Sequence, residues 1–215
     1  MNMKIKDPVS ALTHFAAMIL ALIAATPLLL KASSAGKLHM TALAIFITSM
    51  VLLYAASTIY HTLDISPRIN KLLKKIDHMM IFILIAGTYT PVCLIVLGDR
   101  TGWSLLALVW GIAALGIVIK AWFVMCPKWF SSTIYIAMGW ICVLAFSKII
   151  NALPPAAFGW LLAGGLIYTV GGIIFALKLP IFNSRHKSFG SHEIFHLFVM
   201  GGSLCHYILM YRFVA

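Results

Sequence analysis

Seven stretches of mostly apolar residues run through this chain, at residues 10–30, 39–61, 77–97, 103–121, 130–149, 157–178 and 192–213. Each is long enough to cross a bilayer as an α-helix, since about 20 residues at ~1.5 Å rise span the hydrocarbon core. In lipid every backbone N–H and C=O must be satisfied within the structure, and a helix does so inside its own segment. Only 10% of the residues are charged and 62% are hydrophobic, against about 25% charged in soluble domains. Too few polar side chains exist to coat a water-soluble globule. The pattern predicts an all-α, polytopic membrane protein: a seven-transmembrane-helix bundle forming a single domain over residues 1–215.

Turn and breaker residues separate the spans at Ser33–Gly36, Ser66–Pro67, Gly98–Gly102, Cys126–Pro127 and Pro154–Pro155. The first span follows Lys4 and Lys6, as a signal peptide would, but its apolar stretch exceeds the usual 7–15 residues. It reads as an uncleaved span. The net charge of +11 would suggest nucleic acid in a soluble protein. Here loop placement accounts for it. With a cytoplasmic N-terminus, Lys31, Lys37, Arg100, Lys148 and Arg212 lie outside, and the other eleven of 16 basic residues lie inside. The expected location is a bacterial inner membrane, with the C-terminus periplasmic or extracellular and no nucleic-acid partner. Between spans two and three, Ile65, Ile69, Leu72 and Leu73 alternate with Arg68, Lys71, Lys74 and Lys75. That segment suits a short amphipathic helix on the membrane surface, or a plain basic loop.

Ionisable residues inside spans are costly, so each points to function. Four meet at one face once the topology is drawn. Span two ends on Ser57 and His61, four residues apart and on one helix face. Span three opens with Asp77 on that side. Span seven opens there too, with His192 and His196 sharing a face. Neutral imidazole suits zinc, and an i, i+4 pair offers two nitrogens to one ion. His61 supplies a third. Three protein ligands leave a fourth position for water, the pattern of a catalytic zinc (Zn2+) site. Asp77 is placed to hold that water as base or orienter, and Ser57 to hydrogen-bond water or substrate. Histidine pairs on helices are often merely packed; the shared depth of His61 and Asp77 is what favours a site here.

The remaining histidines rank lower. His206 lies about 15 Å along the helix from His196 and reads as a polar contact in the outer half. His14 reads chiefly as an interhelical hydrogen bond, His78 as packing beside Asp77, and His39 and His186 as loop residues. Cys93, Cys126, Cys142 and Cys205 form no C-x-x-C pair and read as packed thiols. Gly87-Thr88-Tyr89-Thr90-Pro91 and the glycine pairs of the last two spans read as close helix packing, or as a kink opening a lipid-accessible cavity.

Ser57 with His61, the run from Asp77 through Gly87 to Pro91, and His192 with His196 resemble the hemolysin III family of bacterial membrane proteins. The same motifs relate that family to the progestin and adipoQ receptors and, more distantly, to alkaline ceramidases. The resemblance covers about Asp7 to Tyr211. It implies a seven-helix bundle with zinc on His61, His192 and His196, Asp77 holding the zinc-bound water, and Ser57 nearby. It further implies a zinc-dependent hydrolase of lipid amide bonds, ceramidase-like, with a membrane lipid as substrate or ligand. Two alternatives stand beside it. One is a non-enzymatic membrane sensor or regulator with a structural zinc. The other is an intramembrane zinc protease, because His192-Glu193-x-x-His196 also fits H-E-x-x-H, with Glu193 as base.

Overall fold

In the computed structural model, residues 5–123, 125–177 and 189–215 are described. Among them, seven helices are long and apolar enough to cross a membrane. Helix α1 covers Pro8–Ala35, α2 Lys37–Thr62 and α3 Pro67–Pro91, the last extended by a π-helical turn, Val92–Leu97. Helix α4 covers Arg100–Trp122. The fifth span is composite: α5 (Lys128–Gly139), a 3-10 segment (Trp140–Ala145) and α6 (Phe146–Ala152). Helix α7 covers Pro155–Leu177, and α8 covers Ser191–Leu209 with a π-helical end, Met210–Val214.

The chain's polarity is turned outside in. Leu12, Ile23, Leu30, Leu115 and Leu144 point outward, whereas Ser10, His14, Ser57, His61, Asp77, His196 and His206 are buried. Exposed apolar side chains are stable only against lipid, and the buried polar ones need partners inside the bundle. Six spans form a ring: α1 packs on α2, α2 on α3, α3 on α5, α5 on α7, α7 on α8, and α8 on α1. Helix α4 sits outside the ring against α3 and its π turn.

The third helix begins earlier than hydropathy predicts. Residues 67–76 form the first turns of α3 itself rather than a separate surface helix or loop. Pro67 stands at its first position, and the Ser66 hydroxyl accepts a hydrogen bond from the Ile69 amide at 3.4 Å, a capping arrangement that suits a helix start. Asp77 therefore lies well inside α3. His39 is likewise helical, in the first turn of α2, where a loop was expected. The single-residue join between α1 and α2 is Gly36, whose φ of 117° disfavours any L side chain. His186 lies outside the described residues.

The Gly87–Pro91 run does two jobs. A Cβ at Gly87 would overlap the Ser49 side chain, so glycine sets the close approach of α2 and α3, the two helices that carry Ser57 and Asp77 side by side. Tyr89 repairs the composite fifth span. Where α5 gives way to the 3-10 segment, backbone groups lose regular partners. The Tyr89 hydroxyl donates to the Gly139 carbonyl at 2.6 Å and accepts from the Cys142 amide at 2.9 Å. No water is available in hydrocarbon to replace it. Tyr89→Phe should thus cost about 1–3 kcal/mol, the penalty of orphaned buried polar groups. A lowered Tm for the detergent-solubilised variant checks this; an unchanged Tm contradicts the repair role.

Candidate metal centre

Three elements meet at the face that carries the N-terminus. Helix α2 ends there with His61 in its last turn, α8 begins there with His192 in its first turn, and α1 begins there with Asp7 as the preceding residue. One ligand atom from each of His61, His192 and His196 lies within 4.8 Å of the other two. Asp77 is not within that group. The His192 and His61 Nε2 atoms are 3.2 Å apart. Two nitrogens on one tetrahedral zinc at ~2.0–2.1 Å would stand about 3.3 Å apart, so the pair already has a spacing that suits a shared ion.

The ring orientations are set from behind. His61 Nδ1 is 2.9 Å from Asp7 Oδ2. A carboxylate can only accept, so the imidazole donates, and this fixes the tautomer that leaves Nε2 as an electron-pair donor. Asp7 is held in place through its backbone: its amide donates to the His61 carbonyl at 2.9 Å, and the Lys6 amide to the Thr62 carbonyl at 3.4 Å. The Lys6 ammonium sits 3.6 Å above the Tyr60 ring. Burial holds the Lys6 amine below its usual range, against the raising influence of Asp7. On the other side, Thr13 Oγ1 lies 3.4 Å from His196 Nδ1. That hydroxyl already gives its proton to the Ser10 carbonyl at 3.0 Å, so here it accepts. His196 Nε2 is thereby the free nitrogen. His192 Nδ1 is buried and unpartnered.

Asp7 is the residue that sequence reasoning missed. It reads as a loop acid ahead of Pro8, and only the crossing of residues 6–7 over the end of α2 brings it to His61. Glu193 is also accounted for. Its Oε1 accepts from the Ser10 hydroxyl at 2.7 Å and its Oε2 from the Gly190 amide at 2.8 Å, an N-terminal capping role. Arg185 and Lys187, the basic residues that precede this span, lie outside the described residues.

Asp77, Ser57, His14, His78, His192 and His196 line one cavity of about 180 Å³ enclosed by the ring of spans. Ser57 stands beside Asp77, yet its buried Oγ completes no hydrogen bond of proper geometry. Asp77 Oδ2 lies 3.5 Å from His78 Nδ1, but that nitrogen is engaged by the Lys74 carbonyl at 2.8 Å. The carboxylate therefore keeps acceptor capacity on the cavity side. His14 does not make the expected interhelical hydrogen bond. Its ring stacks on His196, with centroids 3.7 Å apart and planes 8° apart, and meets Tyr54 edge-on at 5.1 Å. Farther along, Ser203 Oγ joins the hydroxyls of Tyr54 at 2.7 Å and Tyr168 at 2.9 Å. His206 donates from Nδ1 to the Gly202 carbonyl at 2.7 Å. The rest of the cavity wall is mostly aliphatic and aromatic, with Thr88, Ser132 and Thr169 among it.

The sequence profile of the family described as "Haemolysin-III related" matches residues 2–207 of this chain. The chain belongs to that family. The haemolysin-III-related chain is 39% identical to Hemolysin-3 of Bacillus cereus, over 94% of this chain and 90% of that protein. It is 36% identical to the Hemolysin-3 homolog of Bacillus subtilis (strain 168), over 93% of this chain and 90% of the relative. A more distant likeness, 28% identity, links it to the adiponectin receptor protein of Drosophila melanogaster, over 79% of this chain and 42% of that one. The family agrees with the polytopic helical architecture.

A preformed three-nitrogen group should bind a divalent transition-metal ion. By mass action such an ion raises stability by about 2.7 kcal/mol at a free concentration of 100 times Kd. The Tm of metal-stripped protein should therefore rise on adding the ion. His61→Ala, His192→Ala and His196→Ala should each abolish the rise. An equal rise in all three variants would contradict the assignment.

Proposed function

We propose that this chain is an integral membrane zinc protein that hydrolyses an amide bond of a membrane lipid. The observation that carries the reading is the His61, His192 and His196 group, two of whose members, His192 and His196, line a largely apolar cavity together with Asp77 and Ser57. Apolar walls suit acyl chains, while His192, His196, Asp77 and Ser57 supply polar groups on the same cavity.

His61, His192 and His196 would hold the ion, with Asp7 and Thr13 orienting two of the rings. Bound zinc supplies Lewis-acid polarisation of a carbonyl and lowers the pKa of water to about 7. In that setting Asp77 accepts the proton of the attacking water on a carboxylate oxygen and returns it to the departing amine nitrogen. The Ser57 hydroxyl, beside Asp77, is placed to donate to the water or to the substrate carbonyl. Hydrolysis then consumes one water and leaves a fatty carboxylate and an amine. Both Glu193 oxygens are already engaged, which favours this reading over a protease with Glu193 as base. The basic excess of the loops on the N-terminal side supports an inner-membrane setting with that side cytoplasmic.

Zinc content and hydrolysis of long-chain N-acyl lipids, ceramides included, test the proposal in vesicles. The wild type should carry one zinc per chain and release fatty acid. Asp77→Asn should keep its zinc and lose about 10²–10⁴-fold in rate, the usual worth of a positioned acid–base group. Glu193→Gln should remain close to wild type. Full activity in Asp77→Asn with none in Glu193→Gln would reverse the assignment. Separately, Asp7→Asn should weaken zinc affinity by about 10–100-fold, as loss of an outer carboxylate partner does. Competition with a chromophoric chelator measures this, and unchanged affinity would remove Asp7 from the site.

A further inference from the structure

Away from the histidines, a second cluster of nucleophilic side chains lies where α4 meets α5. Lys120 sits in the last turn of α4 and is 1% exposed. Its Nζ donates to Ser131 Oγ at 2.5 Å and to Cys126 Sγ at 3.0 Å. Cys126 Sγ and Ser131 Oγ are 3.3 Å apart. Cys126 itself is partly exposed, in the connection between the two helices.

The buried lysine is the observation that gives the thiol a role. A buried ammonium is unfavourable without an anion. All five acidic residues, Asp7, Asp64, Asp77, Asp99 and Glu193, are among the described residues. Among the described residues, the three carboxylate pairs within 4.0 Å join Asp7 to His61, Asp77 to His78, and Asp99 to Lys148. None reaches Lys120. The one acid in contact with its amine is the Cys126 thiol. We propose that Lys120 and Cys126 form an ammonium–thiolate pair that a hydroperoxide converts into a reversible sulfur–nitrogen link between α4 and the start of the fifth span.

Burial raises the Cys126 thiol, but the hydrogen bonds with Lys120 and Ser131 outweigh it and hold the thiol below its ordinary range. A thiolate beside a lysine is the form that attacks peroxides. The thiolate attacks one peroxide oxygen, breaking the O–O bond and giving a sulfenic acid; the lysine proton ends on the departing oxygen. The freed amine then attacks sulfur and expels water. Thiolate, ammonium and hydrogen peroxide thus yield the sulfenamide and two waters. Sulfur loses two electrons and the peroxide gains them. The link would fix the α4–α5 corner beside Tyr135, whose hydroxyl donates to the His78 carbonyl at 3.1 Å. The inference is independent of the proposed hydrolase.

The test uses the full chain in nanodiscs, with iodoacetamide and hydrogen peroxide as probes and peptide mass spectrometry as readout. At neutral pH, Cys126 in Lys120→Met should be alkylated about tenfold more slowly than in the wild type, reflecting loss of thiolate. Lys120→Arg, which keeps the charge, should stay close to the wild-type rate. Denatured samples of all three, labelling alike, show that the difference belongs to the fold. After peroxide, the wild type should yield a Lys120–Cys126 linked peptide two hydrogens lighter than the sum of its parts. Dithiothreitol should reverse it, and Lys120→Arg should lack it. Equal alkylation in wild type and Lys120→Met overturns the ion pair, and absence of the linked peptide in oxidised wild type overturns the link.

Discussion

An imidazole buried in an apolar bundle has two ring nitrogens to satisfy and no water to satisfy them. For His61 and His196 the chain supplies one partner each. Asp7 takes the Nδ1 proton of His61, and Thr13 faces Nδ1 of His196. Both remaining nitrogens turn inward, where His192 joins them. One ligand atom from each of the three histidines lies within 4.8 Å of the other two, a grouping that could hold a metal ion. Imidazole nitrogens in this number would suit zinc among other transition-metal ions. Two features of the fold bring them together: the N-terminal segment crosses the end of α2, and α8 begins where α2 ends.

The ring of spans places this cluster at one end of an apolar cavity, and the helix irregularities shape that cavity. The Tyr89 hydroxyl allows the fifth span to change from α to 3-10 geometry without leaving orphaned backbone groups in lipid. Gly87 brings α3 close enough to α2 for Asp77 and Ser57 to share a wall with the histidines. Glu193 is oriented by Ser10 and the Gly190 amide and so serves to join α1 to the start of α8. Its place in an H-E-x-x-H pattern follows from helix spacing, while its bonds are those of a cap.

The spans were legible in the sequence because lipid imposes a length and a composition on every crossing segment. The meeting of His61, His192 and His196 was legible as well: the parity of crossings fixes which helix ends share a face, and i, i+4 spacing fixes which side chains share a side. The start of α3 was not, because Arg68, Lys71, Lys74 and Lys75 lower the hydropathy of turns that are continuous with the span. Asp7 was invisible for a different reason. Its partner is 54 residues away, and no local pattern specifies that the segment before α1 folds over α2. The same holds for His14, where stacking on His196 replaced the hydrogen bond that a buried imidazole ordinarily seeks, and for Cys126, which reads as a packed thiol until Lys120 is placed beside it.

The proposed function stands on one zinc ion held by His61, His192 and His196. X-ray absorption at the zinc edge of the purified chain addresses it directly, because the spectrum reports the identity, number and distance of the ligand atoms. The proposed site requires three imidazole nitrogens at about 2.0–2.1 Å and no sulfur, with that zinc signal lost in the His61→Ala variant. A spectrum with thiolate ligands at about 2.3 Å, or one that His61→Ala leaves unaltered, would contradict it.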